Sequence, residues 1–143
     1  MLKGIPNIIS PELLKILMEM GHGDEIVLGD GNFPAVSHAK RLVRCDGHGI
    51  AALLDAILTL FPLDEYVDSP VALMAVVDGD STPTPPIWQT YDSILQSHGQ
   101  VHCKVEHMER FAFYERTKKA FAVVATGESA IYANVLLKKG VIK

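Results

Sequence analysis

Cysteine is almost missing from this chain: Cys45 and Cys103 are its only two, far apart and outside any CxxC pattern. They cannot build the disulfide framework of a small secreted domain, so a reducing cytoplasm is the expected compartment. Long apolar runs are missing as well. The most apolar stretch, "GIAALLDAILTLFPL", is cut by Asp55, and no window is long enough to span a bilayer. Near the first residue Pro6, Glu12, Lys15 and Glu19 interrupt any apolar core, so no signal peptide is expected. Positive charge is scarce: 13 Lys and Arg against 17 Asp and Glu give a net charge of −4. Partners that are nucleic acid or anionic membrane are therefore not expected, because both need clustered Lys and Arg. The motifs GxGxxG, GxxxxGK[ST], HExxH and GxSxG do not occur, which removes the standard dinucleotide, phosphate-loop, metalloprotease and nucleophile-elbow readings.

What is there suits one globular domain over residues 1–143, with 48% hydrophobic and 21% charged residues. A mean hydropathy of +0.19 is high for so small a chain and suggests an apolar surface that an interface covers. In "SPELLKILMEMG" Ser10 can cap a helix, Pro11 fits its first position, Glu12 suits the positive end of the dipole, and Gly21 stops it. Leu13, Leu14, Leu17 and Met20 share one face. "EIVL" at 25–28 reads as a buried strand, followed by the Asp30-Gly31-Asn32 turn. Further strands are expected at "RLVRC", "VALMAVV" (71–77, the central candidate), "VHCKVE", "AFAVVAT" and "ANVLLKKGVI". Helices are expected from Ile50 to Phe61, through Ile87, Tyr91, Ile94 and Leu95, and through Phe111, Tyr114 and Lys118. "DGDSTPTPP" is a stiff surface loop. Strands interleaved with helices, several apolar on both faces, predict an α/β fold: a single compact domain, layered α/β/α around a mostly parallel or mixed sheet.

Two constellations carry candidate chemistry. His22 stands between Gly21 and Gly23, which remove bulk on both sides, and Asp24 is near enough to orient it. Asp30 follows at the far end of the strand. The plain structural alternatives are a solvated turn histidine and an Asx turn. The second constellation joins "RFAFYER" to "ESAIYANVLLKKG", with Arg110, Tyr132 and Asn134 as polar groups at element ends. Here the alternatives are an Arg110 pair with Glu106 or Glu109, core packing of Tyr114 with Phe111, and a Tyr132 that caps the sheet edge. A metal site would have to use His98, His102, Cys103 and His107, whose spacing does not converge, so no metal is expected.

Taken together, "ISPELLKILMEMGHGDEIVLGDGNFP", "CDG" at 45–47, "RFAFYERTKKAFAVV" and "TGESAIYANVLLKKG" resemble the bacterial L-fucose mutarotases and their ribose pyranase relatives, small cofactor-free sugar isomerases. The likeness covers nearly the whole chain. GHGD, NFP after Asp30, and Arg110 before an aromatic run resemble the fucose branch. The resemblance implies an isomerase that interconverts α and β anomers of a monosaccharide, L-fucose first, with His22 as the acid/base. It implies that Asp30, Arg110, Tyr132, Ala133 and Asn134 bind the sugar, with no cofactor. It further implies a homo-oligomeric ring assembly, such as a decamer, with sites near subunit contacts. The alternatives are pyranose/furanose exchange of D-ribose and a sugar-binding module without catalysis.

Overall fold

The computed structural model describes residues 1–143 as one six-stranded mixed sheet with five helices. Helix α1 (Pro11–Glu19) starts as its sequence predicts: the Ser10 hydroxyl accepts the Leu13 N–H at 3.1 Å, with Pro11 in the first turn. Strand β1 (Glu25–Gly29) follows, buried from Ile26 onward. Next come α2 (Ala35–His38), β2 (Leu42–Cys45), α3 (Ile50–Leu60), β3 (Val71–Met74) and α4 (Pro86–Ser97). The chain finishes with β4 (Val105–Met108), α5 (Arg110–Lys119), β5 (Ala122–Thr126) and β6 (Val135–Lys138).

The strand order is β2-β5-β1-β6-β3-β4. β1 pairs in parallel with β5, β5 with β2, and β3 with β4, whereas β6 runs antiparallel to both β1 and β3. Five strands therefore point one way and β6 the other. Successive strand residues face opposite sides, so Ile26 and Leu28 belong to one core and Val27 to the other. The larger core packs α1, α3 and α4 against the sheet, and the smaller one packs α2 and α5. That is the layered α/β/α arrangement expected.

Four details differ from the sequence reading. β3 is one strand in from the edge, because β1 and β6 occupy the centre. The strand expected from Val101 begins only at Val105: Gly99, at φ +79°, closes α4, and residues 100–104 complete the turn before Val105 meets Val71. α5 buries Phe113 and Thr117, not Phe111, which is 61% exposed. Its apolar pattern is too weak to mark a face, and tertiary contacts choose one. Tyr132 does not cap a sheet edge, since the strand it precedes lies between two others. No helix is long and apolar enough to cross a membrane.

Candidate active site

The carboxyl ends of β1, β3, β4 and β5 and the amino end of β6 lie on one edge of the sheet, the usual place for ligands in open α/β folds. A cleft of about 250 Å³ opens there, lined by Asp30, Asn32, Phe33, Met74, Asp80, Tyr114, Ile131, Tyr132 and Asn134. Asp30 leaves β1 and is only 8% exposed. Its Oδ1 accepts the Asn32 N–H at 2.9 Å, and its own N–H donates to Asn134 Oδ1 at 2.8 Å. The Asx turn is thus real and also aims a carboxylate at the cleft. Burial pushes the Asp30 carboxyl above its ordinary value, and the nearby Glu128 charge adds to this. Hydrogen bonds from the Asn32, Ala133 and Phe33 backbone partly offset the rise.

Asn134 is buried, with its Oδ1 engaged by Asp30 and its Nδ2 directed at Met74 Sδ at 4.0 Å, which leaves one amide N–H to offer. Ala133 has no side chain to present and is fully buried. Its carbonyl accepts the Tyr91 hydroxyl at 2.7 Å, so its polar contacts are those of the backbone. Tyr132 is the one non-glycine residue in the left-handed region, at φ +55°. Its carbonyl accepts Trp88 Nε1 at 2.8 Å, and its hydroxyl donates to the Asp80 carboxylate. One wall of the cleft is aromatic, with the Tyr114 ring 5.7 Å from Phe33 and 5.2 Å from His38.

Arg110 opens α5 on the same edge, in a neighbouring hollow of about 280 Å³ formed with Val76, Val77, Asp78 and Glu109. Neither expected partner holds it. Glu109 caps α5 by accepting the Phe111 and Ala112 N–H groups at 3.0 and 2.9 Å, and Glu106 pairs with Arg116 at 3.1 Å. The Arg110 guanidinium lies 4.7 Å over the Phe111 ring, with donors free.

His22 lies elsewhere. It precedes β1, whereas Asp30 follows it, so the four residue steps of β1, about 13 Å of strand, separate the two ends. One chain does not bring His22 and Asp30 to a common ligand, although only eight positions of sequence separate them. Nor does Asp24 orient the ring: its carboxylate accepts the Gly21 N–H at 2.7 Å. The partner of His22 is Asp64, with Nε2 and Oδ1 3.2 Å apart. The same Asp64 oxygen accepts the Tyr66 N–H at 3.0 Å, and the Tyr66 ring is 5.5 Å from the imidazole. A carboxylate only accepts, so Nε2 carries the proton and Nδ1 remains free on a side chain 46% exposed. Burial alone would push Asp64 up, but the Tyr66 N–H, His22 and the Lys138 charge outweigh it, and the net direction is down.

The four candidate metal ligands are dispersed: His98 binds Asp55 at 2.7 Å and His107 packs on Trp88 at 4.8 Å. No three His, Cys, Asp or Glu side chains converge as a metal centre would. Asp64, Asp80, Phe33 and Tyr114 are among the residues around these positions that the sequence did not single out; Phe33 arrives with the Asp30 turn, and the others through tertiary contacts.

Known proteins match this architecture over its full length. The chain is 54% identical to the fucose mutarotase of Homo sapiens, across 99% of this chain and 94% of that protein. The crystal structure of a Streptococcus pneumoniae fucose mutarotase in complex with L-fucose is 56% identical, with a TM-score of 0.95 over 99% of this chain and all of that one. Bacillus subtilis RbsD complexed with D-ribose, 22% identical with a TM-score of 0.75, shares the fold. With the RbsD / FucU transport protein family matching residues 3–142, this chain belongs to that family.

Proposed function

We propose that this protein is an isomerase acting on a free monosaccharide, a mutarotase that interconverts the α and β anomers of L-fucose. The observation that carries the reading is the convergence of Asp30, Tyr132 and Asn134 on one cleft, in a chain 56% identical to a fucose mutarotase whose structure contains L-fucose. The lining suits a ring of hydroxyls: Asp30 accepts, Asn134 donates, and the Phe33–Tyr114 wall covers an apolar face, while Arg110 offers further donors from the neighbouring hollow.

Mutarotation requires a base to take the anomeric hydroxyl proton and an acid to protonate the ring oxygen. The ring then opens to a carbonyl that rotates and recloses on either face. His22 is our acid/base, because an imidazole can give a proton at one nitrogen and take one at the other, and its Nδ1 is free. Since the cleft and His22 stand at opposite ends of β1, the proposal requires a second copy of the chain to bring its His22 edge to the cleft edge of the first. Exposed apolar side chains stand on both edges, Phe111 and Ile131 by the cleft and Tyr66 by His22. Such a contact joins different surfaces and closes into a ring, a decamer being the size we favour. We place the activity in the cytoplasm, where Cys45 and Cys103 stay free thiols.

NMR exchange spectroscopy tests the reading. The protein should accelerate α/β exchange of L-fucose more than that of D-ribose. Equal acceleration would remove the fucose assignment, and binding without acceleration would leave only a sugar-binding module.

A further inference from the structure

We propose that Asp80 is a positioning residue for this reaction: its carboxylate takes the Tyr132 hydroxyl proton as a hydrogen bond, so that the phenol oxygen faces the sugar as an acceptor. The inference rests on the sugar-binding reading of the cleft. One proline-rich segment grips Tyr132 at both ends. Asp80 receives its hydroxyl, and Trp88 Nε1 donates to its carbonyl at 2.8 Å. Between these two tethers lie Pro83, Pro85 and Pro86, whose fixed φ angles hold the spacing. Tyr132 needs such a grip, because a bulky side chain at φ +55° persists only where its surroundings impose it.

Asp80 is itself fixed. Its Oδ1 accepts the Thr82 N–H at 2.8 Å and the Thr82 hydroxyl at 2.5 Å, leaving Oδ2 for Tyr132. These hydrogen bonds hold the Asp80 carboxyl below the usual carboxylate range, which makes it a poor base and favours positioning over proton removal. A phenol has one proton. With that proton given to Asp80, Tyr132 has only lone pairs for the sugar and accepts from a hydroxyl, while donation is left to Arg110 and the Asn134 amide. The proline-rich loop thereby acquires a role as the element that sets the hydrogen-bonding sense of one cleft wall.

The test is a double-mutant cycle on the full-length protein, read by L-fucose exchange and binding, with ¹³Cζ-tyrosine NMR. Asp80→Ala should raise the half-saturating L-fucose concentration about three- to tenfold, with less effect on the rate at saturation. Asp80→Asn should retain most function, because its amide oxygen still accepts. In a Tyr132→Phe background Asp80→Ala should add nothing. In sugar-free protein Asp80→Ala should shift the Tyr132 Cζ resonance. Additive effects of Asp80→Ala and Tyr132→Phe, an Asp80→Asn half-saturating concentration as high as that of Asp80→Ala, or an unmoved Cζ resonance would each overturn the proposal. Native protein that leaves L-fucose exchange unchanged would instead sink the mutarotase reading, and the sugar-free resonance would still decide the contact. Should Asp80→Ala unfold the protein, Thr82→Ala loosens the same carboxylate and is read by the same cycle.

Discussion

The His22 imidazole has one nitrogen held and one free, and the arginine of the cleft edge has no carboxylate partner. These two facts separate chemistry from binding. His22→Gln should keep L-fucose affinity within a few-fold and lose exchange on the order of 10²-fold or more, measured by NMR at saturating sugar. Arg110→Ala should do the reverse, weakening binding by roughly 1.5–3 kcal/mol with the saturated rate less affected. Asp64 adds a pH signature. Its folded-state value lies below its ordinary 3.8, so the ionised form is favoured by folding. The stability this supplies is complete above the unfolded value and is lost as pH falls through the lower folded one. Asp64→Asn should therefore lower the Tm at neutral pH, and the gap to native protein should close as pH falls past the ordinary 3.8 and through the lower folded-state value. A gap that widens on acidification would reverse the assigned direction.

At the scale of elements, two glycines near the cleft edge behave differently. A Cβ at Gly127 would stand 2.0 Å from the Asp46 carbonyl oxygen, backbone that cannot step aside, whereas one at Gly47 would meet open space. Gly127→Ala should cost about 1–3 kcal/mol in urea unfolding, and Gly47→Ala should be close to neutral. Elements whose signals are local were legible in the sequence: α1 through its cap and stop, β1 and β5 through their apolar runs, and α4 through its spacing. α2 was not, because four residues after Pro34 carry no period. The α5 face was misread because its aromatic residues lie on both sides of the helix. Around the cleft, polar residues at element ends made Asp30, Arg110, Tyr132 and Asn134 legible as candidates, and family likeness added Ala133 and gave them a sugar-binding role. The remaining contacts join distant segments, with Tyr132 and Asp80 52 residues apart and His22 and Asp64 42 apart. No local pattern encodes such a meeting. The same holds for the gap between His22 and Asp30: eight positions in sequence suggest closeness, and an intervening extended strand prevents it.

At the scale of the whole molecule, an assembly that joins the His22 edge to the cleft edge should show a light-scattering mass several times 15.6 kDa. It should also show complementation. Co-expressed in equal amounts, His22→Ala and Asp30→Ala chains, each impaired alone, should recover exchange at about a quarter of the contacts, where a native His22 meets a native Asp30. No recovery would return both residues to one chain. The position of β6 has a consequence of another kind. It is the last strand in chain order, yet it sits at the centre and alone joins the β2-β5-β1 half of the sheet to the β3-β4 half. A nascent chain emerging from the ribosome holds two partial sheets with an open seam until β6 arrives. Completion of the sheet therefore waits for β6 to be made, and the exposed edges of β1 and β3 must be kept from pairing with other chains in the meantime.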